Sequence, residues 1–367
     1  MNRVEQWQIW LENHEIDKPD TGVMHRVRDT LDSLCKTDGG LGKLEPLLLK
    51  LAGMQRTPYP SAMERAALVF AADHGVISER VSRFRAGDSL QMVKGLLLGR
   101  TAAGVLARRT GISLHCWDVG LLGEIAHLPG AAHTLHRAKV AQGSRNIALG
   151  PAMTRDECAG ALLTGSRAVQ ELPEGTKLVA LGEMGMGNTT VAAALSAAYF
   201  KLKPEQVVGP GAGNRNLAAK AEVVRKSLRA NPADRNQPLD LLAALGGLEV
   251  AALTGACLQA AAQGRGIILD GFVTSVAALL ASCFEPWVKE YLIASHLAPE
   301  PGHRWVVKEL GLEPLLELDL RVGEGAGALM AIPLLDQAVD LLSGMASFRE
   351  LGIHPGIRGS RSEAKQK

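Results

Sequence analysis

The 367-residue chain has few aromatic residues, few cysteines and almost no net charge. Phe, Trp and Tyr make up 4% of it and the formal net charge is +2, so the sequence shows no basic or aromatic-rich surface of the kind that binds nucleic acid. The five cysteines are widely spaced and form no CxxC pair. This pattern argues against a disulfide framework or a structural zinc site and favours a reducing, cytoplasmic location.

Long hydrophobic runs and paired histidines are also missing. No apolar run is long enough to span a bilayer. The opening segment, MNRVEQWQIWLENHEI, interrupts its apolar positions with polar residues, which excludes a signal peptide and predicts an amphipathic helix. No HxxxH or HxE spacing occurs. We therefore expect no metal, no membrane partner and no nucleic-acid partner.

The chain is rich in Ala, Gly and Leu, and short β-prone runs alternate with long helical stretches. The β-prone runs are AALVFAA, GISLHCW, TKLVAL and GIILD, and two later runs, YLIAS and LLELDL, could extend the same sheet. This alternation predicts an α/β fold with a mostly parallel sheet flanked by helices. Small residues would let the helices pack closely on the sheet.

Each of the first four runs ends with an acidic residue that has a glycine one or two positions away. The acids are Asp73, Asp118, Glu183 and Asp270. The carboxyl ends of parallel strands lie on one edge of a sheet, where open α/β sheets bind ligands, so the four acids would meet in one crevice. The alternative is that each acid caps the helix that follows it. The sequence leaves both readings open.

The chain divides into three segments. Residues 1–60 and 333–367 are helical or irregular and could pack together as a smaller domain, while residues 61–332 contain all the predicted strands. Pro333 lies within an apolar helical pattern, so we expect a kink or break there. The sequence thus predicts a large α/β domain and a small helical domain built from both chain ends.

The most distinctive motif is GEMGMGNTT at residues 182–190. It fits the nucleotide-binding pattern GxxxxGK[ST] except that Asn188 stands where lysine is required, and it does not match GxGxxG. Its glycines still allow backbone N–H groups to face an anion at the start of a helix, which suits a single phosphate. A glycine-rich turn with an Asn/Thr cap would show the same pattern.

Two charged residues near this motif also suggest roles in binding. A carboxylate at Glu183 would repel phosphate, so it more plausibly faces a part of the ligand that becomes positive. Lys220 follows a second glycine cluster, VVGPGAGNRN at residues 207–216, and could supply the positive charge that the first loop lacks. Lys220 is equally compatible with a solvated lysine on a helix.

A third glycine cluster spans residues 319–335, DLRVGEGAGALMAIPLL. Glu324 lies between two glycines at the start of an almost wholly apolar helix. Apolar surroundings raise the pKa of a carboxyl group, which suits a general base. An acid at this position is also favoured by the helix dipole, and the two explanations are compatible.

Together these residues resemble the nicotinate-nucleotide:dimethylbenzimidazole phosphoribosyltransferase family, which makes the lower-ligand nucleotide of cobalamin. The matching motifs follow the family's order over most of the chain beyond residue 60. They are ADHGV (72–76), GEMGMGNTT (182–190), LAALGGLEVAALTGA (242–256), LDGF (269–272), EPGH (300–303), LGLEPLLELDLRVGEGAGA (310–328) and MASF (345–348).

The resemblance implies a Rossmann-like large domain, a homodimer and a reaction that needs no metal or cofactor. The implied substrates are nicotinate mononucleotide and 5,6-dimethylbenzimidazole. A ring nitrogen of the base would attack the anomeric carbon, expel nicotinate and leave an α-ribosyl 5′-phosphate. Glu324 takes the general-base position, and Glu183 matches the second acidic residue of the active site.

The resemblance also implies two sets of binding residues. Those for the phosphate and ribose of the nucleotide are Gly185, Gly187, Asn188, Thr189, Lys220, Ser295 and Gly323. Those for the acceptor base are Ser82, Gln91 and Val322.

The chain departs from the family pattern in two segments and, to a smaller extent, in a third, SHLAPEPGH at residues 295–303. Residues 81–92, VSRFRAGDSLQM, carry Arg85 and Asp88 where relatives have less polar residues, and residues 209–220 lack a usual arginine and a pair of aspartates. A more polar pocket would suit another benzimidazole, a purine or a phenol as acceptor. The same departures would fit a non-catalytic subunit that pairs with an active relative.

Overall fold

The computed structural model describes residues 1–354 apart from residues 212, 214 and 215. Part of the second glycine cluster and the end of the predicted C-terminal segment therefore lie outside the described residues. The division of the chain into a large and a small domain stays a prediction.

The centre of the fold is a six-stranded sheet in which all neighbouring strands are parallel. The strand order is β3-β2-β1-β4-β5-β6. Every residue of β4 is buried, as expected for a central strand covered by helices on both faces. The predicted α/β fold is confirmed. The strands are β1 (Arg65–Ala72), β2 (Ser113–Gly120), β3 (Thr134–Arg137), β4 (Leu178–Met184), β5 (Gly266–Leu269) and β6 (Leu292–Ala294).

The α-helices of the described residues are α1 (Arg3–Asn13), α2 (Thr21–Ser33), α3 (Leu44–Gln55), α4 (Asp88–Leu97), α5 (Ala102–Thr110), α6 (Arg155–Gln170), α7 (Asn188–Phe200), α8 (Leu217–Ala230), α9 (Pro238–Leu245), α10 (Leu248–Ala262), α11 (Phe272–Phe284), α12 (Pro301–Glu309) and α13 (Ala326–Gly344). Short 3₁₀ helices cover Gly75–Glu79, Pro204–Gln206 and Pro286–Tyr291.

Helices α6 and α10 show what the small residues do. A Cβ atom added at Gly165 of α6 would overlap the backbone of Ala252, and one added at Gly255 of α10 would overlap the backbone of Leu162. The two helix backbones therefore touch, and only glycine fits at these crossing points. Backbone contact of this kind is the close packing that the Ala- and Gly-rich composition predicts.

The two chain ends share a second hydrophobic cluster, separate from the core around the sheet. It joins α2 and α3 to the C-terminal half of α13. Its buried members are Val23, Val27, Leu31, Leu34, Leu48, Leu49, Ala52, Ala338 and Leu342. This cluster brings together the segments that the sequence assigned to a smaller domain.

Helix α13 differs from the sequence expectation in two respects. It runs from Ala326 to Gly344 without a break at Pro333, because buried residues on both sides of the proline hold the helix against the core. Among the described residues it is also the one helix that, by length and composition alone, could cross a membrane. Half of its apolar stretch is buried inside the protein, which is typical of a core helix.

Three strand predictions need correction. The run LLELDL forms no strand and contributes a single parallel bridge, between Leu316 and His296. Strand β3 at the sheet edge was not predicted, because its four residues, TLHR, carry no apolar alternation. Strand β4 extends to Met184, so Glu183 belongs to the strand itself and is held by the sheet.

Candidate active site

The site is a cavity of about 630 Å³ at the carboxyl ends of β4, β5 and β6. Its walls include residues 183–189 at the end of β4 and beyond it, 270–273 after β5 and 319–323 before α13. The carboxyl edge of a parallel sheet is where α/β proteins bind ligands, and a cavity of this volume accommodates a small organic molecule.

Two of the four strand-end acids line this cavity and two do not. Glu183 and Asp270 are on its wall. Asp118 instead accepts hydrogen bonds from the N–H groups of Gly120 and Leu121, within its own turn. The two explanations offered by the sequence therefore both apply. Glu183 and Asp270 share a crevice, whereas Asp118 caps its own turn.

The predicted phosphate loop lines the cavity with Gly185, Gly187, Asn188 and Thr189. Gly187 has φ 103°, a left-handed conformation that turns the chain from β4 into α7. Asn188 donates a side-chain hydrogen bond to the carboxylate of Glu183 and accepts one from the N–H of Thr189 (2.7 Å). The loop and the strand-end acid are thus directly linked.

Asp73 supports this loop from behind. The Ser89 hydroxyl donates to the Asp73 carboxylate (2.6 Å) and accepts a hydrogen bond from the N–H of Met186 (3.1 Å). The Asp73 carboxylate also accepts from the N–H of Leu122 (2.9 Å). Because Asp73 and Ser89 are buried, this chain of hydrogen bonds fixes the loop to β1 and α4.

A buried ion pair lies under the same loop. Nε2 of His74 is 2.7 Å from the carboxylate of Glu249, and both side chains are fully buried. Burial opposes a charged imidazole, but the adjacent Glu249 carboxylate outweighs it and raises the pKa of His74. The His74 ring would contact a Cβ at Gly185 or Gly187, so it packs against the loop as a structural residue.

Lys220 reaches the loop from α8. Its Nζ donates to the hydroxyl of Thr189 (2.9 Å) and to the carbonyl of Gly209 (3.0 Å), and the residue is 1% exposed. Burial lowers the pKa of Lys220 to about 8. A positive charge therefore stands directly behind the glycine loop, in the place of the lysine that the motif lacks.

The two glutamates predicted to be catalytic adjoin one another. The N–H of Glu324 donates to the carbonyl of Glu183 (3.1 Å). A side chain at Gly182 would overlap the backbone of Glu324, so glycine is needed for this close approach. Burial raises the pKa of Glu183 well above its usual value, and the carboxylates of Asp270, Glu249 and Glu324 raise it further.

The Glu324 carboxylate lies just outside the cavity. The residue is 1% exposed, and its carboxylate accepts a hydrogen bond from the N–H of Ala103 (3.3 Å) at the start of α5. Burial raises the pKa of Glu324. The sequence predicted a glutamate at low dielectric, but it did not predict that the side chain would point toward α5.

Asp270 occupies the cavity wall next to the two glutamates. The strand-end pattern placed it in the shared crevice, but the catalytic and binding residues implied by the resemblance did not include it. Its carboxylate accepts hydrogen bonds from the N–H groups of Gly325 (3.2 Å), Gly327 (2.6 Å) and Ala328 (3.3 Å). Burial raises the pKa of Asp270 to about 7, although these hydrogen bonds counteract the rise. Its position at the end of a strand was the signal that could have identified it.

The residues predicted to bind the acceptor are only partly brought together. Ser82 and Val322 line the cavity, as does Gly323 from the set predicted to bind the phosphate and ribose. Gln91 is exposed on α4 and does not line it, whereas the next residue, Met92, does. The helical repeat turns one of two neighbouring side chains away, which a linear motif does not reveal.

The polar residues that set segment 81–92 apart from the family also point elsewhere. The Asp88 carboxylate accepts a hydrogen bond from the N–H of Arg85 (2.7 Å) at the start of α4, and neither residue lines the cavity. Arg83 does line it, together with Phe84. The charge on this side of the cavity therefore comes from Arg83 and not from Arg85 or Asp88.

Ser295 is buried behind the cavity wall. Its hydroxyl donates to the carbonyl of Asp270 (2.9 Å), so it holds the end of β5 rather than lining the cavity. The next residue, His296, lines the cavity, and burial lowers its pKa to about 4, which leaves the ring neutral. Within the described part of the chain, no three His, Cys, Asp or Glu side chains cluster to hold a metal ion.

Comparison with known proteins gives a consistent result. A family model described as "Phosphoribosyltransferase" matches residues 16–353. The nicotinate-nucleotide:dimethylbenzimidazole phosphoribosyltransferase of Desulforamulus reducens is 40% identical over 346 residues, which cover 93% of this chain and 97% of that protein. The protein of the same name from Thermus thermophilus is 42% identical over 341 residues, covering 92% and 100%.

Solved structures agree with these sequence matches. The crystal structure of the Thermus thermophilus nicotinate-nucleotide:dimethylbenzimidazole phosphoribosyltransferase superposes with a TM-score of 0.85 at 42% identity. The match covers 92% of this chain and all of that one.

Proposed function

Because the chain belongs to the nicotinate-nucleotide:dimethylbenzimidazole phosphoribosyltransferase family, we propose that it transfers the phosphoribosyl group of nicotinate mononucleotide to 5,6-dimethylbenzimidazole. The products are α-ribazole 5′-phosphate and nicotinate. The observation that carries this proposal is the hydrogen bond that joins Glu183 and Glu324, beside a cavity with a glycine loop and a buried lysine.

The reaction needs a base but no acid. A ring nitrogen of the acceptor attacks the anomeric carbon as the bond to the pyridinium nitrogen breaks, and the electron pair of that bond returns to the pyridinium ring, so nicotinate leaves without a proton. The acceptor becomes cationic and must lose the proton on its other ring nitrogen. A general base placed within reach of that proton therefore accelerates the step.

Glu324 is the proposed general base. Its raised pKa makes the ionised carboxylate a stronger proton acceptor than an exposed glutamate. To act, the side chain turns from the N–H of Ala103 into the adjoining cavity, a rotation about its own side-chain bonds. Glu183 is already on the cavity wall and faces the ribosyl carbon, and its ionised form stabilises the positive charge that develops there as nicotinate leaves.

The donor phosphate is proposed to bind at the glycine loop. Gly185, Gly187, Asn188 and Thr189 form the cavity wall at the start of α7, where the helix dipole favours an anion. Lys220 stands on the other side of Thr189 and supplies positive charge. This arrangement puts the phosphate near the α7 end of the loop and the two glutamates near its β4 end.

Dimethylbenzimidazole suits the remaining wall. Phe84, Met92 and Val322 are apolar, and the polar groups beside them are the Ser82 hydroxyl and the Arg83 side chain. The three apolar side chains give a surface that fits a flat aromatic ring. Because Arg85 and Asp88 do not line the cavity, they give no support to a purine or a phenol as the acceptor.

We further propose that the chain acts as a cytoplasmic homodimer. All five cysteines are free, which suits a reducing compartment. Val105 on α5 and Met330 on α13 are exposed apolar side chains on two helices that pack together beside the site. Light scattering of the purified chain at several concentrations would test the dimer, and a monomer at all concentrations would contradict it.

Product analysis tests the proposed function. Purified protein is incubated with nicotinate mononucleotide and, in separate reactions, with dimethylbenzimidazole, other benzimidazoles, adenine and phenol. We expect nicotinate release with a matching α-ribosyl phosphate, fastest with dimethylbenzimidazole. If no base releases nicotinate, the catalytic proposal fails and a non-catalytic nucleotide-binding subunit becomes the better explanation.

A further inference from the structure

We propose that Asp270 is a positioning residue for the transfer reaction: its carboxylate holds the turn that carries Glu324 and places a further negative charge on the wall beside Glu183. This inference rests on the proposed function for the identity of the reaction. It goes beyond that function because Asp270 would act through the two glutamates and donate no proton to either substrate.

The hydrogen bonds of Asp270 converge on the residues that immediately follow Glu324. One carboxylate oxygen accepts from the N–H of Gly327 (2.6 Å) and Ala328 (3.3 Å), and the other accepts from the N–H of Gly325 (3.2 Å). Asp270 itself is fixed by β5 and by the Ser295 hydroxyl, which donates to its carbonyl. The central sheet is thereby connected through one buried carboxylate to the turn of the proposed base.

The turn that Asp270 holds is strained. Gly323, Glu324 and Gly325 have φ values of 74°, 64° and 86°, so three successive residues are left-handed. Glutamate adopts this conformation only at a cost in free energy, and such residues persist where the surrounding structure fixes them. Two contacts fix Glu324: its own N–H bonds to Glu183, and the next N–H bonds to Asp270.

Asp270 does more than cap the amino end of α13, because it also lines the cavity. Its charge acts on the catalytic pair: after burial, the Asp270 carboxylate is the strongest influence that raises the pKa of Glu183. Several other titratable or charged groups lie around this part of the site. They are Glu183 from β4, Glu324 before α13, His296 after β6, the His74 and Glu249 pair from β1 and α10, and the cavity-lining residues Arg83, Glu300, Asp319 and Arg321.

Asp118 provides a matched control. It is also a buried aspartate at a strand end, and its carboxylate accepts two backbone N–H hydrogen bonds. It does not line the cavity and bonds to neither glutamate among the described residues. Its carboxylate also pairs with Lys139 (3.4 Å). Asp118→Asn therefore removes a buried capping charge and this ion pair without touching the proposed catalytic turn.

The experiment compares Asp270→Asn, Asp270→Glu and Asp118→Asn with the wild-type enzyme, using steady-state rates from pH 5 to pH 9. For Asp270→Asn we expect kcat to fall roughly tenfold to a hundredfold, because a small displacement of a catalytic group has effects of this size, while KM for both substrates changes less than about threefold. Removing the negative charge of Asp270 lowers the pKa of the neighbouring Glu183. The acidic limb of the pH profile therefore moves to lower pH.

Asp270→Glu keeps the charge and lengthens the side chain, so we expect kcat to fall while the acidic limb stays where the wild-type enzyme has it. Asp118→Asn should leave kcat and the pH profile unchanged.

An unshifted pH profile with wild-type kcat in Asp270→Asn overturns the inference, and so does an equal fall in kcat for Asp118→Asn. If Asp270→Asn does not fold, Asp270→Glu decides: wild-type kcat in that variant overturns the inference. A wild-type enzyme that releases no nicotinate refutes the proposed function instead. In that case the inference falls with it.

Discussion

At the scale of single residues, the site is a cluster of buried acids. Glu183, Asp270 and Glu324 are each at most 7% exposed, and burial raises the pKa of all three. Burying carboxyl groups near one another disfavours their charged forms and makes each a better proton acceptor once ionised. The chemistry proposed for this cavity uses that property.

The first prediction concerns the proposed general base. Glu324→Gln should lower kcat several hundredfold or more with little change in KM for nicotinate mononucleotide, because glutamine cannot accept the acceptor's proton. Steady-state kinetics measures this. Glu317→Gln, an exposed residue in the same segment, is the control and should retain wild-type kcat. A Glu324→Gln variant with more than a tenth of wild-type kcat would contradict the assignment.

A second prediction links the buried acids to stability. Because the folded protein raises the pKa of Glu183, this group stabilises the fold below its ordinary pKa, and that contribution is lost as the pH rises through the folded value. Glu183→Gln removes the ionisation, so the variant should gain stability relative to wild type between pH 5 and pH 8.

The size of that gain is about 1.4 kcal/mol for each unit by which the folded protein raises the pKa within this window. Urea unfolding at both pH values measures it. A difference between wild type and variant that does not change with pH would show that Glu183 titrates normally.

The positions of site residues could be predicted from the sequence where they depend on neighbouring residues in the chain. The glycine loop and the placement of Glu324 between glycines follow from neighbours in the chain. Ser295 and Gln91 were assigned by motif, yet one is behind the wall and the other faces away. His296 was missed, and Asp270 was expected in the crevice but given no role, because the roles of both depend on contacts with segments far away in the sequence.

At the scale of secondary structure, the α6 and α10 pair depends on glycine. Their backbones touch at Gly165 and Gly255, so a single methyl group changes the distance between the helices. Since α10 also packs on β1, β2 and β5, a shift of this helix would be transmitted to the sheet that carries the site.

The third prediction tests this crossing. Gly165→Ala should destabilise the protein by about 3 kcal/mol or more, because its methyl group would overlap the backbone of Ala252 and a backbone cannot rotate away as a side chain can. Gly160→Ala on the same helix meets only the flexible side chain of Arg3 and serves as the control. Thermal unfolding of both variants measures the difference, and equal melting temperatures would refute the close contact.

Strands were predicted well where they are buried and poorly at the sheet edge. Strands β1, β4 and β5 are apolar except for Arg65 at the start of β1 and Glu183 near the end of β4, so their sequence indicates buried strands clearly. Strand β3 pairs on one side only and is polar, and its hydrogen bonds to β2 decide its structure more than its own residues do.

At the scale of the whole molecule, the two ends of the chain pack together. Helices α2 and α3 near the start and α13 near the end share one hydrophobic cluster, and the turn that carries Glu324 immediately precedes α13. The proposed base is therefore placed from both sides, by the central sheet through Asp270 and by the terminal cluster through its own helix.

The fourth prediction addresses that cluster. Leu48 is fully buried in it, so Leu48→Ala should lower the free energy of unfolding by about 2 to 5 kcal/mol. Leu318→Ala, at a residue that is 54% exposed, should change it little. Urea unfolding followed by tryptophan fluorescence and by activity would report both. If Leu48→Ala is as stable as Leu318→Ala, the terminal segments contribute nothing to the fold.

Lys220 approaches the glycine loop from a different helix, more than two dozen positions further along the chain. A scan for short contiguous nucleotide-binding signatures will therefore overlook proteins built this way. Such proteins become recognisable once the search allows the cation and the loop to come from separate parts of the sequence.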